Sequence, residues 1–373
     1  NQILKTDGSG NLTFQDDNSG LSLNLITEVS DTVEVKGRMN ISSSVNIVGT
    51  LSVKGAIALG NGAVSDNMSS ISIGPGTVSE LSASVAMGME TTSTGTDSFA
   101  MGNKSQASGI TSVAMGKYTK ASGNHSLAMG YYTTALRDSS TAIGYQTNAG
   151  GKYSQALGYK TLSCGTSSIA IGYESRTNGP YALAQGYQSY ANGIASIAMG
   201  YQAKACAPYS ISLGQQNYAQ GRNSFAAGYR STASGAFFNP LKQNFIGSVA
   251  LGTETIASNA STAIGWRSKA CGSFSIAIGY YTTASGTNST AMGSVTIASG
   301  NHSTAMGYDT LASGRFSTAM GYTSTASNSY STALGNQSVS SGHSSTALGY
   351  KPTASGKYST ALTLDTKAKS YGE

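Results

Sequence analysis

The residue types that carry catalysis are scarce in this chain. There are 3 His and 3 Cys among 373 residues. His125 and His302 sit in the same phrase, Gly-Asn-His-Ser, and His343 lies in a comparable stretch near the C-terminal end. Imidazoles gathered from sister chains could hold a metal or an anion, but no acidic neighbours accompany them, which favours solvated histidines and no metal site. Cys164, Cys206 and Cys271 are odd in number and far apart, so they form no disulfide framework. Each reads as a small-residue replacement, with an interchain disulfide as the sharper alternative. The 16 acids do not pair at recurring positions, and 3 His single out no Ser/His/Asp arrangement. Gly151-Lys152-Tyr153 and Gly356-Lys357-Tyr358 lack the Ser or Thr that a phosphate loop requires after its Lys. The Asp that calcium-binding β-rolls need in every turn does not recur. No enzyme activity, no cofactor and no nucleic-acid partner are expected.

Recognition chemistry is better supplied. Tyr131, Tyr145, Tyr159, Tyr173, Tyr187 and Tyr201 recur every 14 residues, and Trp266 takes the same slot further on. Side chains stacked at strand spacing form a ladder that stabilises an edge or a subunit interface. The functional alternative is a Tyr-lined groove for a glycan or receptor protein. A second cluster, Phe237, Phe238, Leu241, Lys242 and Phe245, sits in one irregular stretch, 236–247. It reads either as a plug between subunits or as an exposed receptor-binding tip.

Stepwise self-similarity explains the spacing. A glycine closing phrases such as Ala-Met-Gly falls every 14 residues from Gly60 to Gly228 and resumes from Gly252 to Gly349, with one step of 13, from Gly252 to Gly265. That makes 21 units. Seven residues after each glycine stands a second Gly or Asn in 18 of the 21 units, the exceptions being Leu81, Arg137 and Ala207. Gly and Asn tolerate positive φ, so both positions are expected to be turns of that kind. Between turns the large residues alternate with small ones, as in Ser112-Val113-Ala114-Met115-Gly116, which is the period of a strand. A helix would carry a Gly every seventh residue at ~1 kcal/mol each.

The expected fold is therefore all-β, a parallel β-roll solenoid of 14-residue coils paired with the coils above and below. So flat a coil has room inside for Ala, Ser and Thr. Val85, Met87, Phe99, Met101, Val113, Met115, Leu127, Met129, Ile169 and Ile171 would then lie outside on one face and need a cover. Repeated over a length of roughly 100 Å, that strip is too large for a monomer, and self-association with cyclic symmetry covers it. From Thr290 to Thr360 the first of these two outward slots holds Thr in every unit. That ladder prompts a remote ice-binding alternative, against which the apolar residues in the same slot elsewhere argue.

Composition agrees with a repetitive β-protein. Charged residues make up 10%, against roughly 25% in ordinary soluble domains. Residues 1–50 carry 3 basic and 6 acidic side chains, a charge of −3, so the overall +6 leaves +9 on the remainder. That favours an anionic partner such as an acidic glycan. No apolar run is long enough for a membrane helix. The chain opens without Met, which suggests processing or a fragment. The sequons Asn11-Leu12-Thr13 and Asn301-His302-Ser303 matter only in a secretory pathway.

The phrases Ser-Val-Ala-Met-Gly at 112–116 and Ser-Ile-Ala-Ile-Gly at 168–172 resemble the head repeats of trimeric autotransporter adhesins, the YadA-like head. The resemblance covers about residues 56–363. It implies a left-handed roll, a homotrimer, and large apolar residues gathered about the threefold axis. Departures exist: no sustained heptads mark a stalk and no membrane anchor is seen. The opening, Leu4-Lys5-Thr6-Asp7-Gly8-Ser9-Gly10-Asn11-Leu12-Thr13-Phe14, is similar instead to openings of phage and virus fibre proteins. The expected organisation is a β-rich base or connector at 1–50, the roll at 51–363 with its loop at 236–247, and a tail at 364–373. The expected function is an extracellular fibre or adhesin attaching to a target cell surface, on a virion or, alternatively, as the passenger head of a bacterial autotransporter. Its partners would be itself as a homotrimer, a surface glycan or protein receptor, and another fibre or particle subunit at the N-terminus.

Overall fold

A computed structural model describes residues 5–6, 12–13, 55–67, 69–235 and 247–369. Contacts divide the chain into one unit at 1–52 and another at 53–373. In the first, Lys5–Thr6 pairs antiparallel with Leu12–Thr13, Lys5 opposite Thr13. The rest of the 1–50 connector lies outside the described residues, as do residues 370–373 of the tail.

The second unit contains no helix among its described residues. From Ile57–Leu59 to Lys367–Ala368 it alternates 22 long strands with 22 two-residue strands. The long strands form one parallel sheet and the short strands another. Each strand pairs with its equivalent one coil away: Val113 with Leu127, Met115 with Met129, Gly116 with Gly130, and on the other side Lys120 with Thr134. At about 4.8 Å per coil this ladder runs roughly 100 Å.

Strand alternation decides what is inside. In one coil Ser112, Ala114, Thr119 and Ala121 point inward and are buried. Among the described residues every buried hydrophobic side chain is an alanine, and the largest fully buried side chains are Asn217 and threonines. The two sheets lie too close for anything bigger. Some buried hydroxyls are held by the backbone, as where Ser98 Oγ donates to the Gly95 carbonyl at 2.6 Å and Ser105 Oγ to the Gly116 carbonyl at 2.8 Å, whereas others, Ser112 Oγ and Thr119 Oγ1 among them, have no hydrogen-bond partner.

The turns correct one sequence expectation. The first glycine does take a left-handed backbone, with Gly116 at φ 129°. The second does not: the glycines seven residues on avoid that region, and of the three Asn in the slot only Asn259 among the described residues enters it, at φ 57°. Positive φ falls instead on the residues two and nine after the first glycine, such as Tyr118 at 57° and His125 at 56°. Where this slot holds glycine, proximity rather than φ favours it, although Leu81, Arg137 and Ala207 fill it in other coils. A Cβ on Gly165 would lie 2.0 Å from the Gly179 carbonyl oxygen.

Both irregularities of the repeat are confined to this second turn. Across the insertion Phe225 pairs with Val249, and across the 13-residue step Val249 pairs with Thr262. The strands keep their register because a one-residue slip would drive large side chains into a space sized for alanine.

Candidate interaction surfaces of the roll

The long-strand sheet presents three outward columns. The first contains Val85, Phe99, Val113, Leu127 and Ile169; the second contains Met87, Met101, Met115, Met129 and Ile171. All ten are half-buried, shielded only by their neighbours along the column. Towards the C-terminal end the first column becomes Thr290, Thr304, Thr318, Thr332, Thr346 and Thr360, while the second keeps Met292, Met306, Met320 and Leu334. The short-strand face is different. Its outward residues include Gln106, Lys120, Thr134, Asn148, Arg176 and Lys204. One face of the roll thus carries a mainly apolar band, broken at Thr141, Gln155 and Gln185 and half Thr from Thr290 on, and the other is mixed and polar.

The third column lies beside the second, on the same face, because the residue after the first glycine continues the strand alternation. Its rings stack face to face: Tyr131 to Tyr145 at 5.1 Å, Tyr145 to Tyr159 at 5.0 Å, Tyr159 to Tyr173 at 4.8 Å, Tyr173 to Tyr187 at 4.8 Å and Tyr187 to Tyr201 at 4.9 Å. Interplanar angles within the stack run from 17° down to 4°. Desolvation within the stack, then the charge of Glu174 and the neighbouring phenols, push the Tyr173 hydroxyl above its ordinary pKa. Trp266 occupies the column between Thr253 and Tyr280.

The edge formed by the second turn carries an aromatic stack whose members, His302 apart, sequence reading did not single out. His302, Phe316 and Tyr330 stack at 4.7 and 5.2 Å. Tyr181 on the same edge is 65% exposed. These residues recur at the slot nine after the first glycine, so the 14-residue ruler that found the Tyr ladder would also have found them. His125 is exposed and His302 is engaged with a ring, and no group of His, Cys, Asp and Glu suited to a metal occurs among the described residues.

Cys164, Cys206 and Cys271 are free thiols, two of them exposed. The Cys164 thiol is nevertheless partly desolvated, and this burial raises its pKa. Phe237, Phe238, Leu241, Lys242 and Phe245 lie outside the described residues.

This arrangement, coils of 14 residues with an alanine interior and an apolar outer band, matches a known repeat. The YadA head domain repeat model fits twelve segments of the chain between residues 54 and 362, with a gap at 238–258 around the insertion. The chain belongs to the YadA head family. No curated protein matches it in sequence. The matched segments together span most of the roll, so its strands, turns and outward columns are those of a YadA head, and the chain is of the adhesin-fibre kind.

Proposed function

We propose that this YadA head is a homotrimeric, extracellular attachment fibre, without enzymatic activity, that holds contact surfaces away from the particle or cell that carries it. The observation that carries this reading is the apolar band on the long-strand face. A single chain buries almost only alanine and small polar side chains, while its Val, Met, Ile and Leu residues in the outward columns remain half-covered or exposed along much of the roll. Three copies packed by this face about one axis would remove the band from water, at about 25 cal/mol per Å² covered. Repetition then supplies length and many identical contact points, which is the logic of avidity.

Two carriers fit. The hairpin at Lys5–Thr6 and Leu12–Thr13, in a phrase similar to fibre openings, favours a virion fibre joined to another subunit at its N-terminus. The repeat family favours a bacterial surface. Extending the reading frame distinguishes them, since a C-terminal segment of four membrane strands per chain belongs to the bacterial case.

The loop at 236–247 is the first candidate for a specific receptor contact, because loops on solenoids project without disturbing the coils. Sedimentation of the intact chain, followed by binding to target cells with and without residues 236–246, tests both parts. A trimer whose deletion variant loses cell binding supports the reading. A well-behaved monomer overturns the trimer, and unchanged binding removes the loop.

A further inference from the structure

We propose that a groove at the edge of the short-strand sheet binds a linear anionic oligosaccharide. It is lined by Gln188, Gln202, Gln216, Lys204, Tyr218 and Arg230 and holds about 600 Å³. One wall is a chain of side-chain hydrogen bonds climbing the coils. Gln188 Nε2 donates to Glu174 Oε2 at 2.8 Å, Gln202 Nε2 to Gln188 Oε1 at 2.9 Å, Gln216 Nε2 to Gln202 Oε1 at 3.1 Å, and Arg230 Nε to Gln216 Oε1 at 2.9 Å. Each glutamine spends one N–H and one acceptor position on the ladder and keeps the others for a ligand. The amides are therefore held in place before anything binds, which lowers the entropy cost of binding.

The opposite wall comes from consecutive short strands, where Lys204 pairs with Tyr218 and Tyr218 with Thr232. Beneath the groove the buried Asn217 takes an interior slot that elsewhere holds Ser, Thr, Ala or, once, Pro352. Its Nδ2 donates to the Gly228 carbonyl at 2.7 Å, and its Oδ1 accepts from the Ser231 N–H at 2.8 Å, bracing adjacent coils. Lys204 and Arg230 are exposed, and neither is in an ion pair among the described residues.

These groups define the ligand. Two cations call for carboxylate or sulfate. Unspent amide donors and acceptors suit hydroxyl groups, and the Tyr218 ring suits the C–H face of a pyranose. The coil rise of about 4.8 Å is close to the advance of one sugar in an extended β-linked chain, so equivalent residues meet successive sugars. The polar side of the roll also remains free when the apolar band is covered. This site rests on the adhesive reading and names its ligand class.

The test is binding of a hyaluronan octasaccharide to the full trimeric chain by calorimetry, with a neutral cello-oligosaccharide and a DNA oligonucleotide of equal charge as comparison probes. Lys204→Ala and Arg230→Ala are each expected to weaken binding about tenfold, the range for one charged hydrogen bond, and Tyr218→Ala to weaken it as well. Lys120→Ala removes the same charge from the same column outside the groove and is expected to leave affinity unchanged. Equal loss with Lys120→Ala, or equal binding of the oligonucleotide, shows general charge attraction and overturns the site. A chain that binds target cells but not hyaluronan overturns the groove and leaves the adhesive reading standing. A chain that binds neither overturns both.

Discussion

Gly165 lies so close to Gly179 that a side-chain carbon on the first would sit 2.0 Å from the carbonyl oxygen of the second. The neighbour is backbone, held by its own ladder of coils, and has little freedom to withdraw. Gly116 adds a left-handed φ of 129° to a similar 2.0 Å clash with Gly130. Gly150, one residue before the second turn's glycine, has only ordinary contacts, the nearest at 3.5 Å.

Gly165→Ala and Gly116→Ala should therefore each lower stability by about 2–3 kcal/mol or more, the range for strained backbone positions. Gly150→Ala should be neutral or stabilising by about 0.4–1 kcal/mol through the unfolded chain. Thermal and denaturant unfolding of the three variants checks the order; equal losses at all three would refute the proximity argument.

Charges placed on the apolar band should break the assembly. Met115→Glu combined with Met129→Glu puts two carboxylates per chain into the proposed axis, at a cost of several kcal/mol for each unpaired buried charge. The single coils keep their alanine interior. Sedimentation velocity should report loss of the trimer, while Lys120→Glu on the polar face should leave it intact.

Tyr159 stacks on Tyr145 at 5.0 Å and on Tyr173 at 4.8 Å. Tyr159→Ala removes two aromatic contacts, each about 0.5–1.5 kcal/mol, whereas an end member such as Tyr201, stacked on Tyr187 alone among its described ring contacts, should lose less. A double-mutant cycle between Tyr159 and Tyr173 should show a coupling within that range. Zero coupling would mean that the rings are merely adjacent.

Cys164 should react slowly with alkylating agents at neutral pH. Burial raises its thiol pKa, and a raised pKa reduces the thiolate fraction at any pH below it. Alkylation followed by mass spectrometry should show its rate rising at higher pH than for a free-cysteine peptide. A rate profile at or below that of the peptide would contradict the burial.

Much of this architecture was legible in the chain. Fourteen-residue spacing gives strand pairing directly, since equal coils can stack only in register. Alternation of Ser112, Ala114 and Met115 identified the inward and outward residues, because strand side chains change faces at each step. The receptor-loop residues from Phe237 to Phe245 lie outside the described residues, so their placement still rests on sequence.

The role of the second glycine was not legible. Gly is selected both by φ and by space, and a one-dimensional pattern does not separate the two; only the distance from Gly165 to the next coil does. The ladder from Glu174 to Arg230 was missed for a related reason. Glutamine at one slot in three consecutive coils looks like ordinary polar surface until the coils are stacked and each amide is seen to reach the next. Period and residue size determined the roll and its apolar face. The tertiary structure decided which surface groups are joined and preorganised, because that depends on the few ångströms between coils.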